Sequence, residues 1–104
     1  MSLYYVEQGE GEPLVLLHGN GEDHTYFKKQ MEPFSEKFRV IAIDTRGHGK
    51  SPRGDAPFTF EQFAEDLKEF FDEHELTGVN LLGFSDGGNI ALTFALKYQR
   101  YLKR

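Results

Sequence analysis

The residue of this chain best suited to covalent chemistry is a serine that lies between two glycines. Gly83-Phe84-Ser85-Asp86-Gly87 has the pattern G-x-S-x-G, in which the serine occupies a sharp strand-to-helix turn. Residues two before and two after that serine come close together, so both must be small. The turn directs the Ser85 hydroxyl away from the sheet and aims the Asp86 amide at a forming oxyanion. A glycine-rich turn without chemistry is the alternative, but the apolar segment before it and the helical pattern after it favour a nucleophile.

A second motif, His18-Gly19-Asn20-Gly21, directly follows another apolar run. Its glycines allow a bend that could present a second backbone N–H to the same oxyanion, with Asn20 the preferred donor and Gly21 the next. Two preorganised donors favour acyl transfer, because removing one of them raises the activation free energy by about 3–4 kcal/mol. An ordinary strand-to-helix turn is the alternative. We expect His18 to be a structural hydrogen-bonding residue of this loop rather than a base.

The side chain of Asp86 allows two interpretations. Its carboxylate would repel a developing oxyanion if it pointed the same way as its amide. It could instead point into the substrate pocket and favour a cationic group, or it could cap the following helix, which is the interpretation that the sequence favours.

The segment from Asp44 to Ser51 resembles a phosphate-binding loop only at its end. The P-loop pattern requires glycine where Asp44 stands, and Pro52 follows where a helix should begin. A dinucleotide-binding fingerprint that starts at Gly19 fails as well, because His24 occupies its last small position. We therefore exclude both nucleotide-binding loops and expect Asp44 and Arg46 to brace this loop through an ion pair or backbone hydrogen bonds.

The four histidines do not form a convincing metal site. His18, His24 and His48 could in principle bind zinc, but no helical H-x-x-x-H pair supports such a site. His74 is expected to be solvated or to face a helix dipole. We predict no metal and no cofactor.

The composition of the chain argues against several classes of protein. The 104 residues have a net charge of -5, which argues against a nucleic-acid partner. The apolar runs are far too short for a membrane-spanning helix, and the first residues lack the pattern of a secretory signal. The chain also contains no cysteine. We therefore expect a cytoplasmic protein with no membrane partner.

Strand and helix patterns alternate along the chain. The predicted strands are Leu3–Glu7, Leu14–Leu17, Arg39–Ile43 and Val79–Phe84, and the last three read as buried on both faces. Helices are predicted from His24 to Lys37, after the Thr59 cap up to Gly78, and from Asp86 to Tyr101. This order predicts an α/β fold, with a mostly parallel sheet covered by helices on both faces. Ligands bind at the carboxyl ends of such strands, where all three motifs lie.

The three motifs in this order resemble the α/β-hydrolase fold family. The resemblance spans nearly the whole chain: the His-Gly turn, then D-x-R-G-x-G-x-S from Asp44, then the serine elbow. It implies that Ser85 is a nucleophile, and that the amides of Asp86 and of Asn20 or Gly21 form the oxyanion hole. His18, Gly19, Asp44, Arg46, Gly83 and Gly87 would be structural. The implied activity is a serine hydrolase, esterase- or lactonase-like, that acts on a small acyl substrate.

One departure from the family pattern is large. The family's triad runs Ser, acid, His along the chain, whereas all four histidines here precede Ser85. We therefore expect residues 1–104 to form one partial domain that matches the N-terminal half of the fold and is inactive alone. The last strand would then be an open edge, through which the chain could self-associate. The alternative function is a non-catalytic, truncated or degenerate α/β domain that oligomerises through this edge.

Overall fold

The computed structural model describes residues 3–19, 21–55 and 59–103. It contains four strands, β1 (Tyr5–Gln8), β2 (Glu12–Leu17), β3 (Phe38–Ile43) and β4 (Asn80–Gly83). The helices are α1 (Lys28–Ser35), α2 (Phe60–Glu73) and α3 (Asp86–Tyr98), and short 3-10 turns cover His24–Phe27 and Gln99–Tyr101. Within the described ranges, no helix is both long and apolar enough to cross a membrane.

The strands form one sheet in the order β1-β3-β2-β4. β2 pairs in parallel with both β3 and β4, and β1 joins the far side of β3 in antiparallel orientation. The carboxyl ends of β2, β3 and β4 therefore meet at one edge of the sheet. The predicted, mostly parallel α/β fold is confirmed.

Helices cover both faces of this sheet because the central strands are apolar throughout. On one face, Val15, Leu17 and Ile41 pack in one cluster with residues of α2 and α3. On the other face, Leu14, Leu16 and Val40 pack with Phe27 and Met31 around α1. Both β2 and β3 are thus buried on two sides, as their sequences predict.

The strand β4 corrects one prediction. Its apolar run predicts burial on both faces, but its residues are only half-buried, and Leu82 is 41 % exposed. The reason is its position at the edge of the described sheet. On the outer side of this strand, the described residues form one isolated parallel bridge, between Val79, one residue before β4, and Leu102.

Most predicted boundaries differ from the observed ones by a few residues, and two of the differences involve a proline. β2 begins at Glu12 and includes Pro13, which the sequence assigns to the preceding turn. Pro13 is tolerated because β4 reaches β2 only from Leu14 onward, so on that side its missing N–H breaks no ladder bond. The first predicted helix is divided into a 3-10 turn and α1, which contains Pro33 and ends two residues later.

The helix α2 begins as its sequence predicts. The Thr59 hydroxyl accepts a hydrogen bond from the Gln62 N–H at 3.1 Å and so caps the helix. The Gln62 side chain does not complete a capping box, because it donates to Asp66 at 3.0 Å. Phe71 of α2 packs edge-on against Phe94 of α3, with ring centroids 5.1 Å apart, and so fixes the helix that follows the serine.

Candidate active site

The serine motif forms a tight turn between β4 and α3. Ser85 has φ 57° and ψ -119°, a backbone conformation that a non-glycine residue rarely adopts. A Cβ atom on Gly83 would lie 2.2 Å from the Gly87 carbonyl oxygen, and one on Gly87 would lie 2.2 Å from that of Leu17. The two glycines are therefore required by close backbone contacts on either side of the serine.

The His-Gly loop lies against this turn because β2 and β4 are neighbours. The Phe84 N–H donates to the Leu17 carbonyl at 3.0 Å, which joins the ends of the two strands. A Cβ atom on Gly19 would lie only 3.2 Å from the Ser85 Cβ atom. The structure thus brings together two motifs that are 65 residues apart in sequence.

Only part of the predicted oxyanion hole falls within the described residues. Asn20, the preferred donor, lies outside them, while Gly21 is exposed and has φ 78°. At the other side, the amides of Gly87, Gly88 and Asn89 all donate to the carbonyls of Phe84 or Ser85. The Asp86 N–H has no acceptor in the described part of the chain, so this amide at the start of α3 is available to an anion.

The Ser85 side chain is exposed, and its hydroxyl has no hydrogen-bond partner among the described residues. His18 is the histidine of the adjoining loop, yet both of its ring nitrogens are engaged elsewhere. Nδ1 lies 2.8 Å from the Gly19 carbonyl oxygen, and Nε2 accepts the Thr45 N–H at 3.1 Å. His18 therefore bonds the loop and is not oriented as a base for Ser85.

The Asp86 carboxylate lines a small cavity beside the elbow. His18, Gly19, Thr45, His48, Phe63 and Ile90 form the rest of its wall. No side chain caps α3, and in the described residues the half-buried carboxylate makes no hydrogen bond. The capping interpretation of Asp86 is therefore not what the structure shows. The residue lies in the first turn of α3, where a negative charge is favourable to the helix dipole.

These strands, turns and spacings are shared with known proteins. The sequence model of the alpha/beta hydrolase fold family matches residues 12–104. The chain belongs to the alpha/beta hydrolase fold family. An esterase from a marine microorganism superposes with a TM-score of 0.92 at 36 % identity, over 96 % of this chain and 38 % of that protein.

Two curated relatives support the same assignment. (E)-2-((N-methylformamido)methylene)succinate hydrolase from Acinetobacter baylyi is 38 % identical over 97 % of this chain and 38 % of its own length. Serine hydrolase BPHL from Homo sapiens is 38 % identical over 100 % of this chain and also 38 % of its own length. The chain thus spans little more than a third of the proteins it resembles.

In this alpha/beta hydrolase chain, Asp44 organises the loop after β3. The carboxylate is fully buried and accepts hydrogen bonds from the His24 N–H at 2.6 Å and the Lys50 N–H at 2.9 Å. A Cβ atom on Gly49, which has φ 54°, would lie 2.2 Å from the carboxylate. The loop therefore wraps closely around Asp44, and the bracing uses backbone hydrogen bonds.

Arg46 braces the same loop with a partner that sequence reasoning did not identify. Its guanidinium forms a two-point ion pair with Asp66 of α2, at 2.7 and 2.6 Å, and also donates to the Arg53 carbonyl. Both charged side chains are buried, and the hydrogen bonds to Asp66 raise the pKa of Arg46. One feature of the sequence could have indicated this pair: Asp66 is an acid on the apolar face of α2, between Phe63 and Phe70, where a buried charge needs a partner.

The remaining histidines have separate environments. His24 Nδ1 lies 2.8 Å from Asp44, and Asp23 completes the one group in the described ranges whose donor atoms could hold a metal ion. The Asp44 oxygens in this group already accept N–H hydrogen bonds. His48 contacts the ring of His18, while His74 packs on Tyr5 and Phe70.

Proposed function

We propose that this chain supplies the nucleophile and the oxyanion hole of a serine hydrolase that acts on a small ester, lactone or related acyl substrate. The observation that carries the proposal is the backbone of Ser85, held at positive φ between two glycines that admit no Cβ atom. Such strain persists only where the surrounding structure imposes it, and it is concentrated at functional sites. The hydrolase names of the relatives support the same class of reaction.

In the proposed reaction, the Ser85 hydroxyl attacks the substrate carbonyl and loses its proton to a base. The resulting oxyanion is held by the Asp86 N–H and by an N–H of Asn20 or Gly21. The base returns its proton to the leaving oxygen as this intermediate collapses, so that the substrate C–O bond breaks and an acyl-serine remains. A water molecule that loses a proton to the same base then attacks the acyl-serine, and collapse of this second intermediate releases the acid and restores the Ser85 hydroxyl. Water must be activated in the same way as the serine.

The base and its acid partner are proposed to come from outside these 104 residues. All four histidines precede Ser85, and His18 has both ring nitrogens bonded within its own loop region. We therefore propose that residues 1–104 alone turn over no substrate at a useful rate. An oxyanion hole without a triad retains only a small part of the catalysis.

A fluorophosphonate probe tests the nucleophile in the full-length gene product. We expect the probe to label the peptide that contains Ser85 and to leave the Ser85→Ala variant unlabelled. Ser35→Ala is the matched control, because the Ser35 hydroxyl is bonded to the Glu32 carbonyl and should contribute no labelling. A wild-type protein that remains unlabelled, while folded, would show that Ser85 is not an activated nucleophile.

The second candidate function is a non-catalytic α/β domain that associates through the β4 edge. Leu82 and Leu96 favour it, since they are 41 % and 81 % exposed on β4 and α3. This candidate predicts an unlabelled Ser85 together with a concentration-dependent molecular mass. The labelling experiment and a mass measurement therefore distinguish the two functions.

A further inference from the structure

A groove with polar and apolar walls lies beside β1 and the turn that precedes α1. Its volume is about 340 Å³, and small-ligand sites in proteins occupy about 300–1,000 Å³. The residues that line it are Val6, Gln8, His24, Thr25, Lys28 and Met31. It shares no lining residue with the cavity beside the serine elbow. The groove is therefore a separate place on the molecule, which the proposed reaction does not use.

The floor of the groove is apolar and belongs to the core. Met31 is only 8 % exposed, and Val6 is half-buried. Both side chains pack in the cluster that joins α1 to the sheet. A short hydrocarbon chain that lies on this floor loses contact with water, which favours its binding.

The imidazole of His24 is oriented by a buried carboxylate. Asp44 is 0 % exposed, and its Oδ1 accepts the His24 N–H at 2.6 Å and lies 2.8 Å from the ring Nδ1. An ionised carboxylate only accepts hydrogen bonds, so Nδ1 carries a proton and Nε2 is the nitrogen that remains for a ligand. Among the described residues, Nε2 has no hydrogen-bond partner.

The charge of the lining favours an anion over a metal ion. In the described part of the chain the exposed Lys28 forms no ion pair, whereas Lys68 and Lys97 each pair with an acid of α2. Within the described ranges no acid lines the groove, although the chain has a net charge of -5. A metal ion needs several nitrogen, oxygen or sulfur ligands, and one imidazole beside a cation does not provide them.

We propose that this groove binds a small carboxylate that has a short apolar chain. The carboxylate contacts the Lys28 ammonium and the His24 Nε2, and the chain lies on Val6 and Met31. Lysine is a point charge with several donors, which suits one end of a carboxylate at an exposed rim. The inference does not rest on the proposed function, since it uses no residue of the serine motif.

Binding is coupled to a proton at His24. A neutral ring with its proton on Nδ1 would direct the Nε2 lone pair at the carboxylate, so the ring must take up a second proton to donate to it. The charged groups around this ring are Asp23, Asp44, Lys28 and, across the ring of Tyr4, Lys50. The affinity for a carboxylate therefore rises as pH falls from about 8 to about 6, where histidine gains its charge.

Calorimetric titration of the full-length gene product with sodium butyrate tests the inference, and butyramide is the uncharged probe of similar shape. We expect saturable butyrate binding that strengthens severalfold from about pH 8 to about pH 6, and much weaker binding of butyramide. Lys28→Gln should weaken butyrate binding by about two- to fivefold, the range of an exposed ion pair. Lys29→Gln is the matched control, because Lys29 is also exposed on α1 but does not line the groove.

Two further variants locate the site. His24→Gln should remove the pH dependence, and the wild-type pH dependence provides this test if the variant does not fold. Ser85→Ala should bind butyrate as the wild type does, since Ser85 does not line the groove. Absence of saturable binding, equal binding of butyramide, equal effects of the two lysine variants, or lost binding in Ser85→Ala would overturn the site. None of these measurements follows hydrolysis, so their failure leaves the proposed function unaffected.

Discussion

Asp86 has two groups that would act in opposite directions on the oxyanion proposed at Ser85. Its N–H has no acceptor in the described chain and is available to the oxyanion, whereas its carboxylate is half-buried, also without a hydrogen bond. A carboxylate beside the nucleophile is better suited to a substrate that brings its own positive charge. Asp86 also lines a small cavity beside the elbow, together with His18 and Gly19.

We therefore predict that Asp86→Asn lowers kcat/KM for amino-bearing esters, by about tenfold or more, and spares matched neutral esters. A hydrogen bond to a charged group contributes about 1.5–3 kcal/mol, which corresponds to that range. The measurement is the ratio of the two kcat/KM values in the full-length gene product. Glu10→Gln controls for net charge at an exposed position, and an unchanged ratio in Asp86→Asn would refute a cation-binding role.

The environment of His18 also predicts how stability depends on pH. Burial lowers the pKa of His18 from the value of 6.5, and His48 lowers it further, while the Gly19 carbonyl, Asp44 and Asp23 oppose this shift. Asp86 faces the same cavity. The unfolded chain therefore binds a proton at His18 more readily than the folded chain, so the contribution of His18 to the free energy of unfolding falls as pH falls below about 6.5.

Denaturant titrations of wild type and His18→Asn across this range check the prediction. The wild type should lose stability more steeply below pH 6.5, down to the lowered pKa of the folded state, and the two curves should run parallel above pH 6.5. All other titrating groups are common to both proteins. Parallel curves at every pH would show that folding does not change the protonation of His18.

At the scale of elements, the turn between β4 and α3 depends on one very close backbone approach. A Cβ atom on Gly87 would lie 2.2 Å from the Leu17 carbonyl oxygen and 2.6 Å from that of His18. The Leu17 carbonyl belongs to β2 and also accepts the Phe84 N–H at 3.0 Å, so it is held in place. The start of α3 therefore cannot move away without disturbing the end of β2.

We predict that Gly87→Ala lowers the free energy of unfolding by about 1–3 kcal/mol or more, the usual cost of forced overpacking. Gly88→Ala is the matched control, because the nearest atom to its added Cβ outside its own helix is the Gly83 carbonyl oxygen, at 3.4 Å. A helical Gly88→Ala change should be neutral or stabilise by up to about 1 kcal/mol. Urea denaturation of the pair measures the difference, and equal stabilities would contradict the packing argument.

The sequence predicted the elements well, because their apolar patterns reflect local burial. Leu14–Leu17 and the face of α2 that contains Leu67 are buried as expected. The exposure of Leu82 could not be predicted from the apolar sequence of β4, because it depends on which strand lies beside β4. The Arg46–Asp66 pair was missed for a related reason: it joins a loop to a helix 20 residues later, and no local pattern specifies that contact.

For the site, the glycine spacing around Ser85 predicted a turn that the structure contains, since the steric requirement is local. The hydrogen bonds of His18 were less accessible to sequence reasoning. A bonding role could be predicted from its place in the loop, but its Thr45 partner follows from the pairing of β2 with β3. Which amide completes the oxyanion hole stays a prediction.

At the scale of the whole molecule, the apolar surface is distributed unevenly. Leu82 and Phe84, on and just after β4, are 41 % and 47 % exposed, and Leu92 and Leu96 of α3 are 60 % and 81 % exposed. An edge strand with exposed apolar neighbours is a template for pairing with another chain. The net charge of -5 opposes non-specific aggregation.

We predict that the 104-residue chain self-associates with rising concentration and that Leu82→Lys shifts it toward the monomer. A lysine on an edge strand disfavours pairing because its charge would have to be desolvated where the two edge strands join. Phe60→Lys is the matched control, since Phe60 is similarly exposed, at 37 %, but lies on α2. Sedimentation velocity over a hundredfold range of concentration measures the mass. A wild-type chain that stays monomeric throughout would show that the exposed β4 edge does not drive association. An equal effect of both substitutions would show that β4 is not the specific contact.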